Sequence, residues 1–251
     1  MTKAIGIDLG GSGFRIAVVD GKLGTILGNV SRFDHTDAHS KQSILHHIRQ
    51  ALNEFPPELP LGIGFPGMTE GNRILTAPNL GTEWHGTDID NEFGTKRAIS
   101  LLNDADAAAI CEQHVGSGKD SEGTLLMVTI GTGLGTGVVV NGELQPHRDL
   151  GLLRFPDRPK ALEYYASARA KRFHDLDYET WAKELNVALE QFVQITNADY
   201  IVLSGAICNE FEKFYRFLNI GVPLRKARNI DTAGIIGAAL HSIGQQKKRD
   251  V

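Results

Sequence analysis

Ile5-Gly6-Ile7-Asp8-Leu9-Gly10-Gly11-Ser12-Gly13-Phe14-Arg15 runs straight into Ile16-Ala17-Val18-Val19-Asp20-Gly21, and a later stretch repeats the plan. There Val128-Thr129-Ile130-Gly131-Thr132-Gly133-Leu134-Gly135-Thr136 flows into Gly137-Val138-Val139-Val140-Asn141-Gly142. Placing Asp8 over Thr129 also places Gly10 over Gly131, Val18-Val19 over Val139-Val140 and Asp20-Gly21 over Asn141-Gly142, at one offset of 121 residues. A constant offset over so many positions reads as a duplicated unit. Glycines at 10, 11 and 13 leave a hairpin tip free of side chains, so main-chain N–H groups can approach an anion closely. Two such turns facing each other across a cleft would offer two sets of donors to one phosphate.

With 251 residues the chain can bury a sizeable core, and the duplication divides it into two halves. Its hydrophobic share of 41 % and charged share of 22 % are those of a soluble globular protein. A net charge of −4 gives no global basic field, which argues against nucleic acid as partner and for a small molecule. Cys111 and Cys208 form no CxxC pair, so neither a disulfide scaffold nor a four-ligand zinc site is expected, and a reducing cytoplasm fits. The N-terminus enters a strand directly, with no apolar stretch suited to secretion or membrane insertion. Lys247-Lys248-Arg249 reads as a solvated tail.

Residues 3–32 read as a three-stranded meander with a turn at Asp20-Gly21. Ser40 caps a helix carrying Ile44, Leu45, Ile48 and Leu52, stopped by Phe55-Pro56-Pro57. Residues 61–65 form a buried strand ended by Pro66-Gly67; residues 97–102 form another, running into Asn103-Asp104 and an alanine-rich helix. A loop at 116–123 precedes the second meander. Helices are expected over 159–173 and 178–197, a strand over 200–203, and a last helix from Thr232. The order implies an α/β protein with helices packed on mixed sheets.

Asp8 ends its strand beside the first turn. A carboxylate next to a polyphosphate needs a divalent cation between them, so Mg²⁺ positioning competes with plain turn capping. Asn103 and Asp104 stand side by side at a strand end, where an aspartate can accept a hydroxyl proton and an asparagine can orient the hydroxyl. The competing role is that Asp104 or Asp106 only caps the helix over 105–112. His35, His39, His46, His47 and His85 show no metal-ligand spacing, and Trp84 and Trp181 read as packing or rim residues, Trp84 also as a wall for a nearby pocket. The cations Arg154, Arg158, Lys160, Arg169, Lys171 and Arg172 suit either a solvated helix face or a track for a chain of phosphates.

As a set, these residues resemble the ROK family of sugar kinases in the actin-like ATPase superfamily, most closely its short polyphosphate glucokinases. The resemblance rests on Asp8-Leu-Gly-Gly-Ser-Gly13, Gly64-Phe-Pro-Gly67, Thr76-Ala-Pro-Asn79 with Trp84 and Gly86-Thr87, Leu102-Asn-Asp-Ala-Asp-Ala-Ala108, Gly131-Thr-Gly-Leu-Gly135, and Thr232-Ala-Gly-Ile-Ile-Gly-Ala238. It implies a duplicated actin-like ATPase, ribonuclease H-like fold with two lobes around a cleft. One lobe would hold residues 1–103 with a returning C-terminal helix at 235–251, the other 104–234.

It further implies phosphoryl transfer from ATP or inorganic polyphosphate to a hexose hydroxyl, in a cytoplasmic homodimer. Gly10, Gly11, Ser12, Gly13, Thr129, Gly131, Thr132, Gly133 and Gly135 would hold phosphates, and Ser204-Gly205-Ala206 the adenosine side. Asp8 would organise Mg²⁺ through water, and Asp104 would be the general base. Asn79, Asn103, Asp104, Asp149 and Glu163 would contact sugar. The family's Glu-x-Gly-His stands here as Asp149-Leu-Gly-Leu152, replacing a sugar-binding imidazole by an apolar side chain. That replacement puts glucose specificity in question and opens an alternative, a non-catalytic sugar- or nucleotide-binding regulator.

Overall fold

The computed structural model describes residues 2–35, 40–94, 97–155 and 158–249; His39 and Asp157 lie outside them. The chain separates into two compact units, Met1–Cys111 with Thr232–Val251, and Glu112–Asp231.

In the first unit, β1 (Lys3–Gly10), β2 (Gly13–Asp20) and β3 (Thr25–Asp34) form the expected meander. Helix α1 (Lys41–Leu52) starts at Ser40, whose side chain accepts from Ser43 N–H, and buries Ile44, Leu45, Ile48, Ala51 and Leu52. Strand β4 (Leu61–Phe65) is buried throughout and runs parallel to β1. A small hairpin, β5 (Thr69–Glu70) with β6 (Arg73–Ile74), and the short helix α2 (Ile89–Phe93) lead to β7 (Ile99–Asn103), parallel to β4. Helix α3 (Asp104–Val115) follows without a break, and the first unit boundary falls inside it.

The second unit repeats this plan. Strands β8 (Thr124–Ile130), β9 (Leu134–Val140) and β10 (Glu143–Leu144) make its meander. Helices α4 (Glu163–Ala166), α5 (Ala168–Phe173) and α6 (Tyr178–Thr196) follow, then β11 (Tyr200–Ser204), α7 (Phe211–Tyr215) and β12 (Leu224–Lys226). The two sheets have strand orders β3-β2-β1-β4-β7 and β10-β9-β8-β11-β12. In each, the meander is antiparallel and the remaining strands are parallel.

One detail corrects the single offset. Asp8 is paired with Gly64 on the parallel side and Arg15 on the other; Thr129 is paired with Ser204 and Gly135. The first strands therefore correspond at 121 residues and the second strands at 120, with Val18 over Val138. The second glycine turn is one residue shorter. Burial agrees, since Gly13–Asp20 and residues 133–140 alternate in step along their strands. The later turns differ too. Asn141 and Gly142 have φ of 49° and 85°, as a two-residue hairpin loop requires. Asp20 instead accepts from Lys22 and Leu23 N–H and heads a four-residue loop.

The helix expected over 159–173 is broken at Ser167, a fully buried residue whose Oγ accepts from Ala170 N–H and starts α5. Trp84 is buried against Phe65, ring centroids 5.4 Å apart, which makes it core and not a pocket wall. Trp181 is equally buried and donates Nε1–H to Ala166 O.

Helix α8 (Ala233–Arg249) packs on the first sheet and continues through the stretch read as a tail. Its approach is close: a Cβ on Gly62 of β4 would lie 1.8 Å from Ala238 O, and one on Gly237 1.7 Å from Ala107 O. Only hydrogen at these two positions lets α8 reach both the sheet and α3.

Candidate active site

In the first unit, the carboxyl ends of β1, β4 and β7 share one edge of the sheet, the edge where α/β sheets bind ligands. The Gly10–Gly13 turn closes β1 against β2, with Gly11 and Ser12 exposed. A Cβ on Gly11 would lie 3.3 Å from Asn79 Cβ, so exposed Asn79 borders the turn. His35 reaches the same tip, Nε2 3.1 Å from Gly10 O.

Asp8 faces Arg15 across the hairpin, and the two side chains form an ion pair. Sequence reasoning gave Arg15 no role. The hairpin register could have found it, because closing the ladder at Gly10 and Gly13 sets residues 8 and 15 opposite each other. The Asp8 carboxylate also lies against Gly234 at the start of α8, where a Cβ would come within 2.6 Å of its oxygens. A helix N-terminus favours that negative charge.

Asn103 is 5 % exposed and is the cap of α3. Its Oδ1 accepts from Ala105 N–H at 2.7 Å and Asp106 N–H at 3.3 Å, while Nδ2 donates to Gly67 O at 3.1 Å. The capping role weighed for Asp104 or Asp106 thus falls to Asn103. Asp104 is half-buried at the first helical position, with Oδ1 2.8 Å from Ala105 N.

In the second unit, three segments meet at the Gly131–Gly133 turn. Gly131 N–H donates to Gly133 O within the turn, and Arg169 N–H donates to Gly131 O. Glu163 Oε2 accepts from Leu134 N–H at 3.3 Å and lies 2.2 Å from where a Cβ on Gly133 would be. Gly205, at φ 100°, lies against the Ile130 backbone. Thr132 and Ala206 are exposed, Thr129 and Gly135 half-buried, and Ser204 buried at 3 %. Asp149 follows β10 and pairs with His147, a histidine that sequence reasoning passed over. The cation run is partly committed: Arg158 pairs with Glu184, and Lys171 Nζ donates to Leu176 O. Arg154, Lys160, Arg169 and Arg172 are exposed.

Among the described residues no three His, Cys, Asp or Glu side chains gather as a metal site, and no helix is long and apolar enough to cross a membrane. A half-buried carboxylate beside a glycine turn suits a cation held mostly by water and phosphate oxygens, as Mg²⁺ is.

The sequence profile of the ROK family matches residues 4–148. The chain belongs to the ROK family. It is 32 % identical over 244 residues to polyphosphate glucokinase of Mycobacterium tuberculosis, covering 95 % of this chain and 90 % of that one. Its structure is similar to inorganic polyphosphate/ATP-glucomannokinase from Arthrobacter sp. strain KM, with TM-score 0.88, 28 % identity, and coverage of 98 % and 100 %. It shares its fold with a ROK glucokinase from Streptomyces griseus in complex with glucose and AMPPNP, at TM-score 0.80 and 21 % identity, covering 96 % and 99 %. The duplicated α/β architecture expected from the sequence is the fold of these ROK proteins. Within this ROK chain, Leu152 is 56 % exposed on a 3-10 turn, Leu150–Leu152, that carries no imidazole.

Proposed function

We propose that the chain is a sugar kinase that moves the terminal phosphoryl group of ATP or inorganic polyphosphate, entering as its Mg²⁺ complex, to a hydroxyl of a glucose-like hexose. The observation that carries this reading is the company kept at one sheet edge: Asp8, the Gly10–Gly13 turn, Asn79 and Asp104 end neighbouring parallel strands or border their turns. Similarity to a polyphosphate glucokinase over 95 % of the chain supports it independently.

In this reading the turns at 10–13 and 131–135 offer main-chain N–H groups to the donor's phosphates, and Ser204-Gly205-Ala206 borders the adenosine when ATP is the donor. Asp8, its charge balanced by Arg15, would hold Mg²⁺ through water, and the ion would supply charge neutralisation for the donor's phosphates. Asp104 takes the proton from the acceptor hydroxyl as the new O–P bond forms and the donor's P–O bond breaks. Asn79, Asp149 and Glu163 hold the other hydroxyls. Asn103, which the resemblance assigns to sugar, has its Oδ1 and Nδ2 engaged by the start of α3 and by Gly67 O, so in this reading it acts by fixing α3 and with it Asp104. We read the protein as a cytoplasmic homodimer, its mass in solution being the check on assembly.

Leu152 is the feature that favours a non-catalytic regulator. Retention of both turns, Asp8 and Asp104 in a chain so similar to kinases outweighs it. The test is a kinase assay crossing a hexose panel with ATP, GTP and polyphosphate. Phosphorylated hexose is expected with the wild type, and Asp104→Asn should abolish turnover while donor binding persists. Full turnover in that variant, or no turnover of any hexose by the wild type, would refute the reading.

A further inference from the structure

The segment after β10 holds a carboxylate with one side-chain partner on a backbone that is itself pinned. His147 Nε2 lies 2.9 Å from Asp149 Oδ1, with 7 % of the histidine side chain and 30 % of the aspartate side chain exposed. An ionised carboxylate only accepts hydrogen bonds, so Nε2 carries the proton in this pair. The backbone is held as firmly. Thr136 of β9, 1 % exposed, donates Oγ1–H to Arg148 O at 2.6 Å and accepts from Leu150 N–H at 3.2 Å. Leu152 N–H donates to Asp149 O, and Gly151 abuts Leu134 O.

The residues on both sides of Asp149 are therefore tied to the strand that leaves the Gly131–Gly133 turn, and its side chain is tied by a largely buried imidazole. A solvated surface aspartate gains little from such fastening, because ordering its rotamer offsets most of the pairing energy. A half-exposed carboxylate aimed in one direction is what recognition of a hydroxyl needs.

We propose that His147 is a positioning residue for the acceptor sugar: it holds the Asp149 carboxylate in the one rotamer that accepts a hydrogen bond from a sugar hydroxyl. The imidazole that the family pattern sets three residues after the acid stands here two residues before it, behind the carboxylate. Acceptor recognition at this turn then runs through the His147–Asp149 pair, with Leu152 adding no polar contact. This inference rests on Asp149 as a sugar contact, the reading proposed above.

The test measures KM for glucose, KM for the donor, and kcat in four variants: Asp149→Asn, His147→Leu, His147→Gln and the Asp149→Asn/His147→Leu double variant. Loss of a hydrogen bond to a charged group predicts about a tenfold or greater rise in glucose KM for Asp149→Asn and for His147→Leu. Donor KM and kcat should stay within about twofold for His147→Leu. Glutamine, whose amide donates from near the Nε2 position, should restore most of the glucose KM. The double variant should be little worse than Asp149→Asn alone. If the wild type turns over no hexose, glucose affinity by calorimetry replaces KM.

Unchanged glucose KM in His147→Leu, with Asp149→Asn impaired, would overturn the inference and leave the site reading intact. Unchanged glucose KM in Asp149→Asn would remove the site reading as well. A His147→Leu defect spread equally over glucose, donor and thermal stability, and not rescued by glutamine, would mark a structural role and overturn the proposal.

Discussion

Replacing Asn103 by alanine removes three hydrogen bonds from one buried position. Its Oδ1 caps α3 through Ala105 N–H and Asp106 N–H, and its Nδ2 satisfies the carbonyl of Gly67. Loss of an N-cap costs about 1 kcal/mol. Gly67 is itself buried, so its orphaned carbonyl adds roughly 1–3 kcal/mol. Because the bonds share one residue, the sum is taken as about 2–4 kcal/mol. For a chain of this size that lowers Tm by roughly 5–15 °C. Serine at 103 keeps a cap and loses the Gly67 bond, so it should fall about midway. Turnover should fall further than stability suggests, since Asp104 is the next residue, and a shift of about 1 Å in a reacting group can cost on the order of 100-fold. Calorimetry and kcat for Asn103→Ala and Asn103→Ser test this together. An alanine variant with Tm within about 2 °C of wild type and normal kcat would refute the capping argument.

Leu152→His adds a polar group at a 56 % exposed position, so stability should hardly change while glucose KM falls by about tenfold. An unchanged or higher KM would show that the turn is shaped for a different acceptor. Burial pushes the Cys208 thiol from 9.0 up to about 12. A raised folded-state pKa gives stability that is complete below pH 9 and is lost as pH rises toward 12, at about 1.4 kcal/mol per pH unit for this one group. Denaturant unfolding of wild type and Cys208→Ala across that range should show a shallower decline in the variant; parallel declines would remove Cys208 as the cause. Cys111 is buried as well, so thiol reagents at neutral pH should label neither cysteine before unfolding.

Much of the candidate site's layout was legible because its parts are local. Asp8 and the Gly10–Gly13 turn lie within six residues, and a strand that runs into Asn103-Asp104 puts both at its end whatever surrounds it. The split of these two into cap and half-buried acid was not legible, since either side chain can cap a helix. The carbonyl of Gly67, 36 residues earlier, engages the amide of Asn103. Ser167 likewise divides a helix that periodicity reads as continuous, because the break depends on a buried hydroxyl meeting Ala170 N–H.

The sequence by itself determined the duplication, the two meanders, the glycine turns and the strand-end acids, all of which follow from side-chain alternation and turn chemistry within about ten residues. Only the tertiary structure decided the one-residue shortening of the second turn, the packing of α8 against Gly62 and Ala107, the Asp8–Arg15 pair and the pairing of His147 with Asp149. A buried polar group must be satisfied by whichever partner folding brings within reach, and a glycine is required where another backbone arrives. Spacing along the chain sets the first kind of feature; contact between distant segments sets the second.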